Sequence, residues 1–315
     1  MVFNSPLLKM TKVFIYGSAG TTGLRIVERL SARKDLELLL LSDDLRKDPN
    51  ARADALASAD VAFLCLPDDA AKESAALAAG SKVKIIDTST AHRTDPQWVY
   101  GMPELAGNRQ RIADSSRIAN PGCHASGFVA LVAPLVKAGI LSADAQLSCF
   151  SLTGYSGGGK KMIAQYEDPA RPKLYDAPRP YAMGQSHEHL PELRVGCGVE
   201  DAPVFCPVVG DFYSGMEVTV PVFASQLKGG IKDIEEIYKT AYAQGLIRYD
   251  AADEDGLLSA VAYEGRDDMG VSVYGNEDRI ILVSRFDNLG KGASGAAIQN
   301  MNILLGLDES TGLNV

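Results

Sequence analysis

The sequence predicts two domains: an α/β domain on a parallel sheet, then an α+β domain whose sheet is mixed and largely antiparallel. Three observations predict this. Residues 12–87 alternate short apolar runs with helical stretches, the pattern of parallel strands joined by crossover helices. Beyond residue 145, strand-like runs follow one another with few helices between them. The chain has 315 residues with 46% hydrophobic composition, enough for two cores of ordinary size.

The elements follow in order. Val13-Phe14-Ile15-Tyr16 is an apolar run ending at Gly17 and suits a buried strand. Thr22 to Leu30 places Ile26, Val27 and Leu30 on one helical face, and Leu36–Leu41 and Val61–Leu66 read as the next strands. Pro67-Asp68-Asp69 turns the chain and caps the alanine-rich helix at 70–79, and Val83–Ile86 is a fourth strand. Phe128, Leu131, Val132, Leu135 and Val136 then recur at helical spacing until Gly139 stops them. Strands are expected at Gln146–Leu152, Met216–Phe223 and Ile280–Val283, with a helix at Ile231–Gln244. The tail Gly295–Leu305 reads as a helix that packs back on the first domain.

Composition excludes several function classes. A net charge of −9 argues against nucleic acid or an anionic membrane as partner. Five cysteines without a CxxC pair read as reduced thiols, which points to the cytoplasm. No apolar run approaches the ~20 residues of a membrane span. The first ten residues lack a secretory pattern and read as a short leader.

Between the first strand and first helix runs Gly17-Ser18-Ala19-Gly20-Thr21-Thr22-Gly23. Glycines let the backbone turn sharply and approach phosphates, while the helix start offers free amides and a positive dipole end. The loop is therefore read as the pyrophosphate site of a Rossmann-type dinucleotide-binding domain. Near the end of the second strand, Asp43 and Asp44 suit the ribose hydroxyls of NAD, whereas Arg46 and Lys47 suit the 2′-phosphate of NADP.

Asn120-Pro121-Gly122-Cys123 leads straight into the amphipathic helix. A thiol in a first helical turn meets unpaired amides and the positive dipole end, so the expectation is a pKa lowered toward neutrality and a nucleophilic Cys123. Cys65 and Cys149 read as small buried residues. Of four histidines, His187 and His189 stand in His-Glu-His-Leu-Pro-Glu-Leu, and one of the two is expected to act as general acid-base. No cysteine or third histidine lies near them in sequence, so no metal is expected. A second glycine cluster, Thr153 to Lys161, combines consecutive glycines with Ser156, Lys160 and Lys161 and suits a phosphate or carboxylate cradle in which Gly157 exposes its amide.

Taken together, GSAGTTGLRI, ADVAFLCLPDDAA, IIDTSTAHR, YGMPEL, NPGCHASG, TGYSGGGKK, HEHLPEL, PVVGDFYSGMEVTVPV and NLGKGASGAAIQNMN make the chain resemble the N-acetyl-gamma-glutamyl-phosphate reductases of arginine biosynthesis in their shorter form, relatives of the aspartate-semialdehyde dehydrogenases. The resemblance runs from Gly17 to Asn302. It implies NADP(H) as cofactor, N-acetyl-glutamate 5-semialdehyde as product, and a homodimer or homotetramer. It implies Cys123 as the nucleophile that carries a thioester and His189 as the acid-base residue. It puts Glu192 and Arg93 with the substrate, alongside Ser156, Gly157 and Lys160. It puts Ser89 and Asn288 with the cofactor, together with Ser42, Arg46 and the glycine loop. The implied division is a dinucleotide-binding domain at 1–122, joined by the tail 290–315, and a catalytic and oligomerisation domain at 123–289. His124 stands where the family often has tyrosine, and Ser42-Asp43-Asp44 departs from the Ser-Arg-Ser type of the longer form. The nearest alternative is an aspartate-semialdehyde dehydrogenase-like reductase of another acyl phosphate.

Overall fold

A parallel sheet covered on both faces needs apolar side chains throughout its central strands, and Val61–Leu64 are buried without exception. The computed structural model describes residues 10–42, 44–251 and 255–315; residues 1–9 of the leader and Asp43, read above as a ribose contact, lie outside the described residues. The first part of the chain runs β1 (Thr11–Tyr16), α1 (Thr21–Ser31), β2 (Leu36–Leu39), α2 (Pro49–Ser58), β3 (Val61–Leu64), α3 (Asp68–Leu77) and β4 (Lys84–Asp87). It continues through β5 (Val99–Tyr100), α4 (Asn108–Asp114) and β6 (Arg117–Ala119). These six strands form one sheet in the order β2-β1-β3-β4-β6-β5, parallel throughout.

The next elements are α5 (Cys123–Lys137), β7 (Ser148–Gly154), α6 (Gly159–Glu167), β8 (Arg179–Pro180), α7 (Leu190–Cys197) and β9 (Val204–Gly210). Then follow β10 (Met216–Phe223), α8 (Ile231–Ala241), β11 (Ile247–Tyr249), β12 (Met269–Gly275) and β13 (Arg279–Phe286). Their sheet has seven strands in the order β11-β12-β13-β10-β7-β9-β8, with β11–β12 and β7–β9 parallel and the other pairs antiparallel. The expected fold class, a parallel α/β sheet followed by a mixed α+β sheet, is the one observed. Helices α2 and α4 escaped sequence reading because neither carries a long apolar stripe; α2 buries only Arg52 and Leu56.

Helix α5 is buried from His124 to Val132 and forms the centre of the second core, with Phe128, Leu131 and Val132 against Val218, Val220 and Phe286. A glycine is required at its middle. A Cβ on Gly127 would lie 2.5 Å from Val218 Cγ2 and 2.8 Å from Phe286 Cε1. After β13 the chain makes a π-helical turn, Gly290–Ser294, and enters α9 (Gly295–Leu304). All of α9 is buried, and Ala297, Ile298 and Met301 share a core with Val13, Ile15 and Ile86 of the first sheet. Lys84 Nζ donates to the Leu304 carbonyl at 2.6 Å and holds the helix end there.

Gly127→Ala should overpack this core and cost about 1–3 kcal/mol. A lower denaturant midpoint at unchanged slope is the expected outcome; a wild-type midpoint would mean that the contact relaxes freely.

Candidate active site

The carboxyl ends of parallel strands are where a doubly wound sheet opens a crevice, at the point where strand order reverses. Here that point lies between β1 and β3. The segments leaving β1, β3, β4 and β6 line one cavity of about 380 Å³: Gly20–Gly23, Cys65–Leu66, Thr88 and Asn120–Cys123. Ser156, Gly157, His189 and Asn288 close it from the other side.

The glycine loop is sterically committed. Gly17 has φ +88°, and a Cβ there would stand 2.1 Å from the Cys65 carbonyl oxygen. A Cβ on Gly23 would stand 2.4 Å from the Gly17 oxygen. The N-cap of α1 is Gly20, which offers no side-chain acceptor, so the first-turn amides remain directed to the cavity. Such a cradle fits a pyrophosphate.

Cys123 is the first residue of α5, as expected, but its thiol behaves differently from expectation. Burial pushes it up to about 11, against the lowering effects of Arg93 and the local backbone amides. The expectation of a pKa near neutrality is corrected: the dense surroundings outweigh the helix start. Cys65, read as an inert buried thiol, lines the cavity, and burial raises it to about 12.

Three of the four histidines, His124, His187 and His189, gather at the start of α5. His189 lies 5.4 Å from His124 and 4.8 Å from His187 between ring centroids. Burial, then His124, Arg93 and His187, hold His189 well below the ordinary histidine range, so it is a neutral base. Its Nδ1 is buried without a hydrogen-bond partner among the described residues. His124 is bonded on both nitrogens, to Ser151 Oγ and the Tyr181 hydroxyl at 2.7 Å each, and burial pushes it down to about 3. The tightest juxtaposition is at Gly122, where a Cβ would fall 2.3 Å from His189 Nε2 and 2.4 Å from Arg93 Nη1. The imidazole, the guanidinium and the start of the cysteine helix therefore meet at one glycine.

The match to known proteins decides the family. Residues 12–115 match the semialdehyde dehydrogenase NAD-binding domain, and residues 123–288 match the semialdehyde dehydrogenase dimerisation domain. The chain is 46% identical over 306 residues to N-acetyl-gamma-glutamyl-phosphate reductase of Brucella ovis, covering 94% of this chain and 99% of the relative. The Brucella melitensis protein of that name is 45% identical over the same span. It belongs to the N-acetyl-gamma-glutamyl-phosphate reductase family. The fold extends to more distant members: aspartate semialdehyde dehydrogenase II of Vibrio cholerae superposes with a TM-score of 0.72 at 18% identity, covering 95% of this chain and 99% of that one. The Francisella tularensis aspartate semialdehyde dehydrogenase gives 0.71 at 16%, over 94% and 100%. As a family member the chain is an oxidoreductase with a nicotinamide dinucleotide-binding domain.

Seen against this family, the residues singled out from sequence divide into two groups. Gly20, Thr21, Thr22, Gly23, Arg93, Cys123, Ser156, Gly157, His189 and Asn288 line the cavity. Gly17, Ser18 and Ala19 form the turn behind it. Ser42 and Arg46 lie in the exposed turn after β2, outside the cavity lining. Lys160 is exposed at the start of α6 and also outside the lining. Ser89 is turned into a hydrogen bond with Asp87 Oδ2 at 2.7 Å, where His92 Nδ1 also binds at 2.6 Å. Glu192 sits behind the cavity rather than in its wall, bonded to Arg93 and to the Gly122 amide. Thr88, Asn120 and Leu289 line the cavity too; the sequence carries them inside IIDTSTAHR, NPGCHASG and NLGKGASGAAIQNMN, but sequence reading assigns Thr88 and Asn120 no site role of their own. A larger cavity of about 1160 Å³ lies between Trp98, Leu105, Pro134 and Ile237, but it lacks both the glycine loop and the histidines.

Because burial raises the thiol, alkylation of Cys123 in the ligand-free protein should be slow at pH 7 and still rising at pH 10, the thiolate fraction at pH 7 being on the order of 10⁻⁴. Rates of iodoacetamide labelling against pH test this; a plateau below pH 8 would restore the low-pKa reading.

Proposed function

We propose that the chain reduces N-acetyl-glutamyl 5-phosphate to N-acetyl-glutamate 5-semialdehyde with NADPH, through a thioester on Cys123, in the cytoplasmic synthesis of arginine. The observation that carries this reading is the meeting of His189 Nε2, Arg93 Nη1 and the start of the Cys123 helix at Gly122, next to a glycine cradle. The relatives at 46% identity carry the name of this activity.

The glycine loop would hold the dinucleotide pyrophosphate, and the Asn288 segment the nicotinamide end. The bound cofactor supplies hydride. The chain's own residues do the rest. A neutral His189 takes the proton from the Cys123 thiol as Sγ attacks the acyl carbon. The new C–S bond replaces the C–O bond to phosphate, which leaves as inorganic phosphate. A thioester accepts hydride more readily than a carboxylate does, and Cys123 departs again when the aldehyde carbonyl forms. Protonated His189 returns a proton to the developing oxyanion or the departing sulfur. The amides at the start of α5 are positioned to stabilise negative charge on the carbonyl oxygen.

NADP over NAD rests on the family resemblance and on Arg46 and Lys47 in the turn after β2; Asp44 in the same turn opposes it. In the division of labour we propose, residues 1–122 with 290–315 bind the dinucleotide, and residues 123–289 carry the chemistry and the assembly. Opposite-strand registers put Phe150, Cys206, Val204, Pro221, Phe223 and Ile281 on one face of the seven-stranded sheet. Phe150, Val204, Phe223 and Ile281 are exposed there, and such a patch is suited to pairing with a second copy. An aspartate-semialdehyde dehydrogenase activity is the second reading, favoured by the shared fold alone.

Turnover with N-acetyl-glutamate semialdehyde, phosphate and NADP should exceed that with aspartate semialdehyde; the reverse order would overturn the assignment, and equal efficiency with NAD would overturn the cofactor choice. Cys123→Ser should abolish this turnover while dinucleotide binding persists. His189→Ala should lower kcat about 10²–10⁴-fold, and His187→Ala much less; a larger loss from His187 would exchange their roles.

A further inference from the structure

Glu192 has both carboxylate oxygens occupied by the protein. Oε1 accepts from the Gly122 amide at 2.9 Å and from the Tyr100 hydroxyl at 2.7 Å, and Oε2 accepts from Arg93 Nη1 at 3.1 Å. The side chain is 2% exposed. The remaining Arg93 nitrogens are also spoken for: Nε donates to the Asn120 carbonyl and Nη2 to the Thr88 carbonyl, each at 3.0 Å. Tyr100 comes from β5 at the edge of the parallel sheet, and Glu192 from α7 of the second core. We propose that Glu192 and Tyr100 are positioning residues: Tyr100 pins Glu192, and Glu192 fixes both the Arg93 guanidinium and the Gly122 amide beside Cys123. One buried carboxylate thereby sets where the thiol stands and how much positive charge it meets.

Gly122 precedes the nucleophile, so holding its amide fixes the first turn of α5. Arg93 lies where a Cβ on Gly122 would be, and no room remains for it to shift toward the helix. A carboxylate placed against this cation cancels part of its field at the thiol. Among the described residues, the charged and titratable groups that act on Cys123 or line its cavity are Arg93 from the loop after β4, Glu192 of α7, Glu188 and His189 just before α7, His124 of α5, Tyr181 after β8 and Cys65 after β3. Lys291 of the π-helical turn is bound instead to Glu104 and Gln299. The Tyr100 hydroxyl stays a donor, because burial and then Glu192 raise its pKa well above the ordinary tyrosine value. A tyrosine at this place makes a hydrogen bond between the two cores that a phenylalanine would fill without making.

The proposal rests on Cys123 being the nucleophile, so its test reads the thiol without substrate. Labelling of the Cys123 peptide by iodoacetamide is followed across roughly pH 6–11 in the full-length wild type and in Glu192→Gln. Glutamine keeps an acceptor for Gly122 and Tyr100 but removes the charge that offsets Arg93. The profile should move down by about one pH unit, giving about tenfold faster labelling at a fixed pH below the transition. Tyr100→Phe should lower kcat by about fivefold or more with the KM for the dinucleotide within about twofold, and should add less than about twofold in a Glu192→Ala background, where no acceptor remains for the hydroxyl. A folded Glu192→Gln with the wild-type profile, or two independent and multiplying losses, overturns the proposal. If Glu192→Gln does not fold, a wild-type kcat in Tyr100→Phe overturns it alone. Failure of the wild type to reduce either acyl phosphate would sink the reductase reading and leave the labelling result standing.

Discussion

Gly122 donates its amide to Glu192 Oε1 at 2.9 Å, and this bond joins the start of the cysteine helix to a helix that packs beside it in the second core. The same residue has no space for a side chain, because His189 and Arg93 occupy the volume a Cβ would need. These two constraints are complementary. The first holds the backbone in place, and the second lets two functional side chains approach it. A larger residue here would push the imidazole and the guanidinium away together. The Pro-Gly before Cys123 therefore does more than open a helix; the glycine is a steric gap into which the site is built.

Burial governs the chemistry of the groups that close this gap. Cys123 is raised and His189 is lowered by the same cause, removal from water. Each is thereby biased toward its neutral form, and both line the same cavity. Arg93 works in the opposite direction and favours the thiolate, while Glu192 tempers it.

The two cores are joined by a second buried network. Lys291 Nζ lies 2.7 Å from Glu104 Oε1 and also bonds Gln299 Oε1 at 2.5 Å, and the Leu246 amide donates to the same carboxylate oxygen at 3.1 Å. Burial acts to raise the Glu104 carboxyl, yet Lys291 and Gln299 outweigh it and leave it below its ordinary value. Losing one partner of such a pair strands a buried charge, which costs about 3–5 kcal/mol. Lys291 belongs to the π-helical turn whose Gly292 lies against Cys123: a Cβ there would be 3.0 Å from the cysteine Cβ. The network thus ties the loop after β5, α9 and the loop before β11 to the wall of the cavity.

Local sequence determined the strand periods, the glycine loop, the place of Cys123 at a helix start and the His-x-His segment, because each depends on neighbours a few residues away. The family resemblance also brought Arg93 and Asn288 into consideration through short motifs. Only the tertiary structure decided the protonation tendency of the thiol, since desolvation depends on what packs around it from distant elements. It also decided that Glu192 stands behind the cavity, that Ser89 turns to Asp87, and that His124 joins His187 and His189. None of these follows from spacing along the chain. Tyr100 and Glu192 are separated by 92 residues, and a bond over that distance exists only once two cores have docked. The helix dipole is legible in the sequence, but the burial that outweighs it is a property of the folded whole.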